Sequence, residues 1–166
     1  MLLRSARSED ADRIWEIIRA AIEKRRIEGS KQWQDGYPNT QSIAEDIKKG
    51  YGYVLVDDES ILAYSAIIFD KEPAYEVPDV DWLNDEAYVV IHRVATAPEV
   101  RGSGKAAQLF RLTEDLARSQ GVFNIRVDTN FDNGPMLHIL EKLGYSYCGL
   151  VYLRGAERRA FHKILQ

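Results

Sequence analysis

The feature that most constrains this chain is the run Arg101-Gly102-Ser103-Gly104-Lys105-Ala106. It separates an apolar, strand-like run at residues 88–95 from a helix-like run that ends near Arg118. A strand, a glycine-rich turn and a helix in this order aim free backbone N–H groups, and the positive end of the helix dipole, at a phosphate. Arg101 adds a fixed cation at the mouth of the turn.

Three kinds of phosphate turn compete for this run. A P-loop needs Ser or Thr after the lysine to hold magnesium, and a glycine five residues before Gly104. Ala106 and Glu99 stand at those positions, which excludes it. A dinucleotide turn is matched by Gly102, Gly104 and Ala107 as G-x-G-x-x-A, with Asp128 where a ribose-binding acid would fall. Its context is poor. Pro98-Glu99-Val100-Arg101 delays the turn beyond the strand, and too little chain follows for repeated βαβ units. The third kind, a coenzyme A turn, depends on the organisation of the whole chain.

Residues 2–6 read as a first strand. Ser8, followed by Glu9, Asp10 and Asp12, reads as a helix start, because a hydroxyl caps and acids favour the dipole's positive end. Ile14, Ile17, Ile18, Ala21 and Ile22 then hold one apolar face at helical spacing. Residues 29–39 read as a loop carrying Trp33, Gly36, Tyr37 and Pro38, and residues 40–49 as a short helix. Paired strands are expected at 51–56 and 61–69, followed by a Pro-containing acidic loop at 71–84. A strand over about 86–97 leads into the glycine turn. The helix after it keeps Ala106, Leu109, Phe110, Thr113, Leu116 and Ala117 on one face. Phe123, Ile125 and Val127 alternate with polar residues, the pattern of a half-buried strand. A short helix at 133–143 stops at Gly144, and two strands near 145–153 and 158–164 flank Arg154-Gly155.

Arg101 to Ala106 fits R-x-x-G-x-A, the pyrophosphate motif of the GNAT N-acetyltransferase superfamily, which this chain resembles. Val94-Ala95-Thr96-Ala97-Pro98-Glu99 resembles that family's strand end, and Asn133 through Gly144-Tyr145 its later helix with a terminal glycine-aromatic pair. The resemblance covers roughly residues 91–147, and the element order agrees along the chain. It implies a single α/β domain over residues 1–166, with a mixed central sheet of about seven strands and about four helices.

The resemblance implies acetyl-CoA as co-substrate. Backbone N–H groups of Arg101, Gly102, Ser103, Gly104, Lys105, Ala106 and Ala107 would grip the pyrophosphate. Val94, Ala95 and Thr96 match the stretch that pairs with pantetheine as an added strand does. The N–H of Val94 or Ala95 would also meet the oxyanion of the tetrahedral intermediate. Asn133 matches an asparagine that meets the coenzyme, and it is also a good helix cap, with Asn130 a weaker candidate. One departure is plain. Leu140 stands where the family often has a tyrosine that protonates the leaving thiolate. Tyr145 and Tyr147 are the nearby phenols, either as acids or as core aromatics.

An acceptor amine must be neutral when it attacks. His92, two residues before Val94, is the candidate base, since imidazole is the side chain whose ordinary titration falls near neutrality. A histidine satisfied by neighbouring backbone is the competing reading. Glu86 is a second candidate base. The resemblance implies that the loop between the first two helices lines the acceptor pocket, so Trp33 and Tyr37, with Gln32, and Phe131 and Tyr152 from the other side, could wall it, or Trp33 and Tyr37 could anchor their loop to the core.

Composition narrows the function classes. A net charge of −4 lacks the basic face of a nucleic-acid binder. A single cysteine, Cys148, excludes an internal disulfide and a thiolate cluster, fits a reduced, cytoplasmic setting, and is a poor nucleophile without a nearby histidine. His92, His138 and His162 have no ligand spacing, so no metal is expected. No apolar run approaches a membrane span. The expectation is a transferase moving an acetyl group to an amine of a small molecule or peptide in a ternary complex, as a monomer or homodimer. A silent acyl-CoA-binding sensor and a nicotinamide oxidoreductase are the alternatives.

Overall fold

The computed structural model describes residues 1–166. Its strands are β1 (Leu2–Ser5), β2 (Gly52–Asp57), β3 (Ser60–Ile68), β4 (Val89–Thr96), β5 (Asn124–Thr129), β6 (Ser146–Leu153) and β7 (Ala156–Ile164). Its helices are α1 (Ala11–Ile27), α2 (Thr40–Lys49), α3 (Lys105–Ser119) and α4 (Gly134–Lys142). The seven strands form one mixed sheet in the order β1-β2-β3-β4-β5-β7-β6, with β4 and β5 parallel. Order and type of the elements match the expectation. Short 3-10 turns at Ser8–Asp10, Pro73–Tyr75 and Pro98–Val100 are additional. Two compact units divide the chain: Met1–Ile67 with Arg93–Leu112, and Ile68–His92 with Thr113–Gln166. The boundary falls inside β4.

In the first unit β1, β2 and β3 run antiparallel, with Leu2 opposite Val56 and Val54 opposite Tyr64. The predicted face of α1 is buried at Ile14, Ile17, Ile18 and Ala21, against Val54, Val56, Ile61, Tyr64, Ala95 and Ala97. Its start differs from the Ser8 cap. Asp10 stands at the N-cap without a side-chain bond into the helix, and its carboxylate instead accepts from the Arg7 N–H (2.8 Å) and from both Arg4 Nη atoms (2.8 and 3.1 Å). A carboxylate held by a guanidinium is the stronger acceptor, and Arg4 keeps Asp10 below the usual carboxylate range. Asn39 caps α2 through the Ser42 N–H (3.0 Å), and Gly50 ends it at φ 76°, a cap and a left-handed stop.

In the second unit β5 is not half-buried. Ile125 and Val127 are buried, but so are Asn124 and Arg126 between them, while Phe123 lies before the strand and is exposed. The alternation of polar residues misleads because these polar groups find partners inside. Arg126 is 2% exposed, its guanidinium 4.3 Å from the Trp82 ring centre and 4.1 Å from that of Tyr88, and it donates to the Asn84 carbonyl at 2.7 Å. Residues 71–84 are likewise more than a loop, since Pro73–Tyr75 turns Tyr75 fully into a cluster with Val80, Tyr88, Val90, Cys148 and Val151. Strand β4 begins only at Val89, later than expected.

His162 is buried in this unit in one protonation state. Its Nδ1 accepts from the Leu83 N–H (3.0 Å), and its Nε2–H donates to Asn124 Oδ1 (2.8 Å). A second ring proton would point at a donor. Burial first, and the charge of Arg126 second, push its pKa down to about 4. An unfolded imidazole titrates near ~6.5. The unfolded chain therefore binds a proton that the folded chain refuses. This contribution to stability is complete above about pH 6.5 and is lost as pH falls toward about 4. The urea midpoint of the wild type should fall more between pH 7 and pH 4.5 than that of His162→Gln; equal falls would assign the acid sensitivity elsewhere.

Candidate active site

In the first unit, β4 ends at Thr96, Pro98–Val100 forms a 3-10 turn, and residues 101–104 stand exposed before α3. Gly102 and Gly104 have φ of 78° and 79°, and a Cβ built on either would meet nothing within 4 Å. Conformation, not crowding, requires these glycines, and the space above them is open. The N–H groups of Arg101 and Ser103 are donated within the turn, to Pro98 (3.4 Å) and Val100 (3.2 Å), and the Ser103 hydroxyl also goes to the Val100 carbonyl. The Gln108 N–H makes the bond to the Gly104 carbonyl (3.0 Å) that opens α3. Lys105, Ala106 and Ala107 therefore present their N–H groups in the first helical turn, ahead of any i→i−4 acceptor. These groups, with the helix dipole, fit a pyrophosphate. The Arg101 guanidinium is tied to α1 through the Ala20 carbonyl (3.0 Å), so it anchors the turn as well as charging it.

Upstream, Val94 and Ala95 are buried. Ala95 packs in the α1 cluster, and the Val94 carbonyl faces Arg25 Nη2 at 3.5 Å. Arg93 has φ 55°, so counting alternate residues does not place His92 and Val94 on one sheet face. Both Arg93 arms hold Asp46 (2.8 and 2.6 Å), and Nη1 donates to the Tyr37 hydroxyl. Trp33 is buried, has φ 66°, and carries the Arg25 guanidinium 3.8 Å above its ring. Gln32 is buried nearby in sequence.

In the second unit, His92 lies between two carboxylates. Its Nε2 is 3.1 Å from Glu72 Oε1, and its Nδ1 is 3.6 Å from Asp128 Oδ1. Tyr75 donates its hydroxyl to that same Asp128 oxygen. Burial, then the Asp128 charge, pushes the Tyr75 phenol well above its ordinary pKa. Glu72 and Tyr75 escaped the sequence reading; Pro73 was the local signal of an ordered turn there. Asp128, read as a possible ribose acid, serves instead as the acceptor for Tyr75. Glu86 is exposed and precedes β4.

Asn133 is buried and caps α4, accepting from the Met136 N–H at 3.3 Å, while Asn130 lies against Asp132. Tyr145 donates to Glu114 Oε2 at 3.0 Å, and the other Glu114 oxygen accepts from Lys163 Nζ at 2.9 Å. Burial and the Glu114 charge push this phenol well above its ordinary pKa, which suits a core strut better than a proton donor. Tyr147 is 58% exposed with its ring against Phe161. The register Ile91–Val127–Phe161–Tyr147 puts Tyr147 on the face of Ile91, opposite His92. Leu140 is fully buried. Cys148 is buried and its thiol pushed up, which does not suit a nucleophile. Phe131 and Tyr152 are exposed.

The family model for the acetyltransferase (GNAT) family matches residues 11–145. The chain belongs to that family. A GNAT-family acetyltransferase from Streptococcus agalactiae shares 37% identity, with a TM-score of 0.89 over 99% of this chain and 95% of that one. At 18% identity, yncA of Salmonella typhimurium, solved with acetyl-CoA as its cofactor, shares the fold at a TM-score of 0.68, over 100% of this chain and 94% of its own. Streptothricin acetyltransferase of Streptomyces lavendulae is 31% identical over 62 residues, 37% of this chain and 33% of that protein. The match thus spans about a third of that relative's length.

Proposed function

We propose that this chain is an acetyl-CoA-dependent N-acetyltransferase, one domain over residues 1–166, acting on an amine of a small molecule or peptide within a ternary complex. The observation that carries the reading is the open turn at Gly102 and Gly104, with the first-turn N–H groups of α3 beside it. The pyrophosphate would sit on Gly102, Gly104, Lys105, Ala106 and Ala107, with Arg101 and Ser103 shaping the turn and Asn133 contributing from the α4 cap. Val94, Ala95 and Thr96 would pair with pantetheine. His92 removes the proton of the attacking amine, directly or through water. The amine nitrogen bonds to the thioester carbon, the C–S bond breaks, and the sulfur leaves as thiolate. Tyr145 and Tyr147 are not assigned its protonation, and Trp33 and Tyr37 border the acceptor.

The coenzyme reading is tested by titrating the protein with acetyl-CoA and with NADH. Binding of acetyl-CoA and not NADH is expected, and the reverse would sink the proposal. In Gly104→Val a β-branched residue is forced to φ near 79°. Strain of about 1–3 kcal/mol should weaken acetyl-CoA binding about tenfold or more, measured by calorimetry. A variant that binds like the wild type would remove the turn from the site. A silent acyl-CoA-binding module is the second reading, favoured by the buried Leu140 at the family's acid position. Thiol release in the presence of any amine would exclude it.

A further inference from the structure

Arg25 is a half-buried cation with a buried Nε and no carboxylate in ion-pair contact. Its neighbours along α1 have carboxylates: Lys24 pairs with Glu28 (2.8 Å) and Arg26 with Glu23 (2.6 Å). Elsewhere in the first unit Arg93 is paired with Asp46 and Arg4 with Asp10. Arg25 has no carboxylate oxygen within 4 Å. It makes only long contacts to the carbonyls of Ala21 (3.3 Å) and Val94 (3.5 Å), and its buried Nε–H has no partner. Its plane lies on Trp33, which the backbone holds at φ 66°, a conformation a tryptophan rarely adopts. Burial above all lowers the Arg25 pKa to about 10, opposed by the charge of Glu28 and aided by that of Arg101, so the group remains charged at neutral pH. A cation held largely out of water with no ion-pair contact costs stability, and side chains retained at such a cost cluster where they meet a ligand.

We propose that Arg25 binds an oxyanion of a ligand, and that this oxyanion is a carboxylate of the acceptor amine. The assignment rests on the acetyltransferase reading above. A phosphate of coenzyme A has the same chemistry, but the turn already supplies N–H groups for the pyrophosphate. Arg25 instead lies beside the Val94 carbonyl, on the stretch matched to the neutral pantetheine arm, and against Trp33 of the loop matched to the acceptor pocket. A planar guanidinium stacked on an aromatic ring, with an unspent Nε–H on one edge, suits a planar carboxylate. The acceptor class is therefore an amine that also bears a carboxylate, such as an amino acid.

The test uses matched pairs differing only in that group: N-acetyl amino acids and their carboxamides as binding probes in the presence of coenzyme A, and the free amino acids and carboxamides in a thiol-release assay. The wild type should favour the carboxylate member about tenfold or more, the scale of one charge-assisted contact. Arg25→Gln should bring the ratio to near one while coenzyme A binding changes less than about twofold, and Arg25→Lys should retain part of it. Arg25→Met, which keeps an unbranched side chain on Trp33, should melt no lower than the wild type. No preference in the wild type, a preference that survives Arg25→Gln, or a large fall in melting temperature for Arg25→Met would each overturn the proposal. Loss of coenzyme A binding in Arg25→Gln with the pair ratio intact would move the oxyanion to the coenzyme and overturn the acceptor assignment. Failure of the wild type to bind coenzyme A would instead remove the reading beneath it.

Discussion

Asp46→Ala is expected to be the most destabilising single substitution considered for this chain. Asp46 is almost fully buried and takes both arms of Arg93 at 2.8 and 2.6 Å, along with the Tyr64 hydroxyl at 2.6 Å. Burial alone would lower the Arg93 pKa, yet the bonds to Asp46 more than reverse this and hold it above its ordinary value. Burial and the same carboxylate push the Tyr64 phenol up. Removing Asp46 leaves a cation and a hydroxyl without their acceptor in the core. Breaking a buried pair from one side costs about 3–5 kcal/mol. For a domain of this size each kcal/mol shifts the midpoint by about 2–4 °C, so the melting temperature should fall by roughly 6–20 °C. Arg93→Gly removes the cation and suits φ 55°, so Asp46→Ala/Arg93→Gly should be more stable than Asp46→Ala alone. Calorimetric melting of the three variants is the measurement. A drop below about 3 °C for Asp46→Ala would mean that the pair is not what holds this region together.

The same residues mark the limit of what the sequence disclosed. Helix α2 was legible at both ends because its determinants are local: Asn39 caps three residues ahead, and Gly50 stops it. The face of α1 was legible because Ile14, Ile17, Ile18 and Ala21 recur at the helical period. The glycine turn was legible for the same reason, with its motif and its bonds lying within a few residues. Strand β5 was misjudged because the burial of Asn124 and Arg126 depends on Asn84, Tyr88 and Trp82, far away in the chain. Arg93 gave no hint of a positive φ, since the carboxylate that secures it is Asp46, and no local pattern links the two. The surroundings of His92 were hidden likewise. Glu72 and Asp128 reach it from a turn and a strand on either side of it in sequence. Local chemistry marked the glycine turn; long-range pairing built the groups around the histidine.

Those groups make His92→Ala the prediction with the largest kinetic effect. Glu72 Oε1 lies 3.1 Å from Nε2 and suits a proton on that nitrogen, so in the proposed reaction Nδ1 would accept the proton of the amine or of water. Asp128 stands 3.6 Å from Nδ1, too far for a good hydrogen bond, and its Oδ1 is already engaged by the Tyr75 hydroxyl. The imidazolium formed by proton transfer would lie between two carboxylates that stabilise it without having to move. Removing a positioned base costs about 10²–10⁴-fold in rate, so kcat of His92→Ala should fall at least about 100-fold. The dissociation constant for acetyl-CoA should stay within about twofold, because the contacts proposed between the turn and the coenzyme are backbone groups. Glu72→Gln keeps a hydrogen-bond acceptor but removes the charge, so its kcat should fall between those of the wild type and His92→Ala. Turnover in His92→Ala that matches the wild type across pH would rule out the base. Loss of acetyl-CoA binding together with turnover would make the histidine a strut of the fold, and the intermediate rate of Glu72→Gln is the readout that a strut alone would not produce.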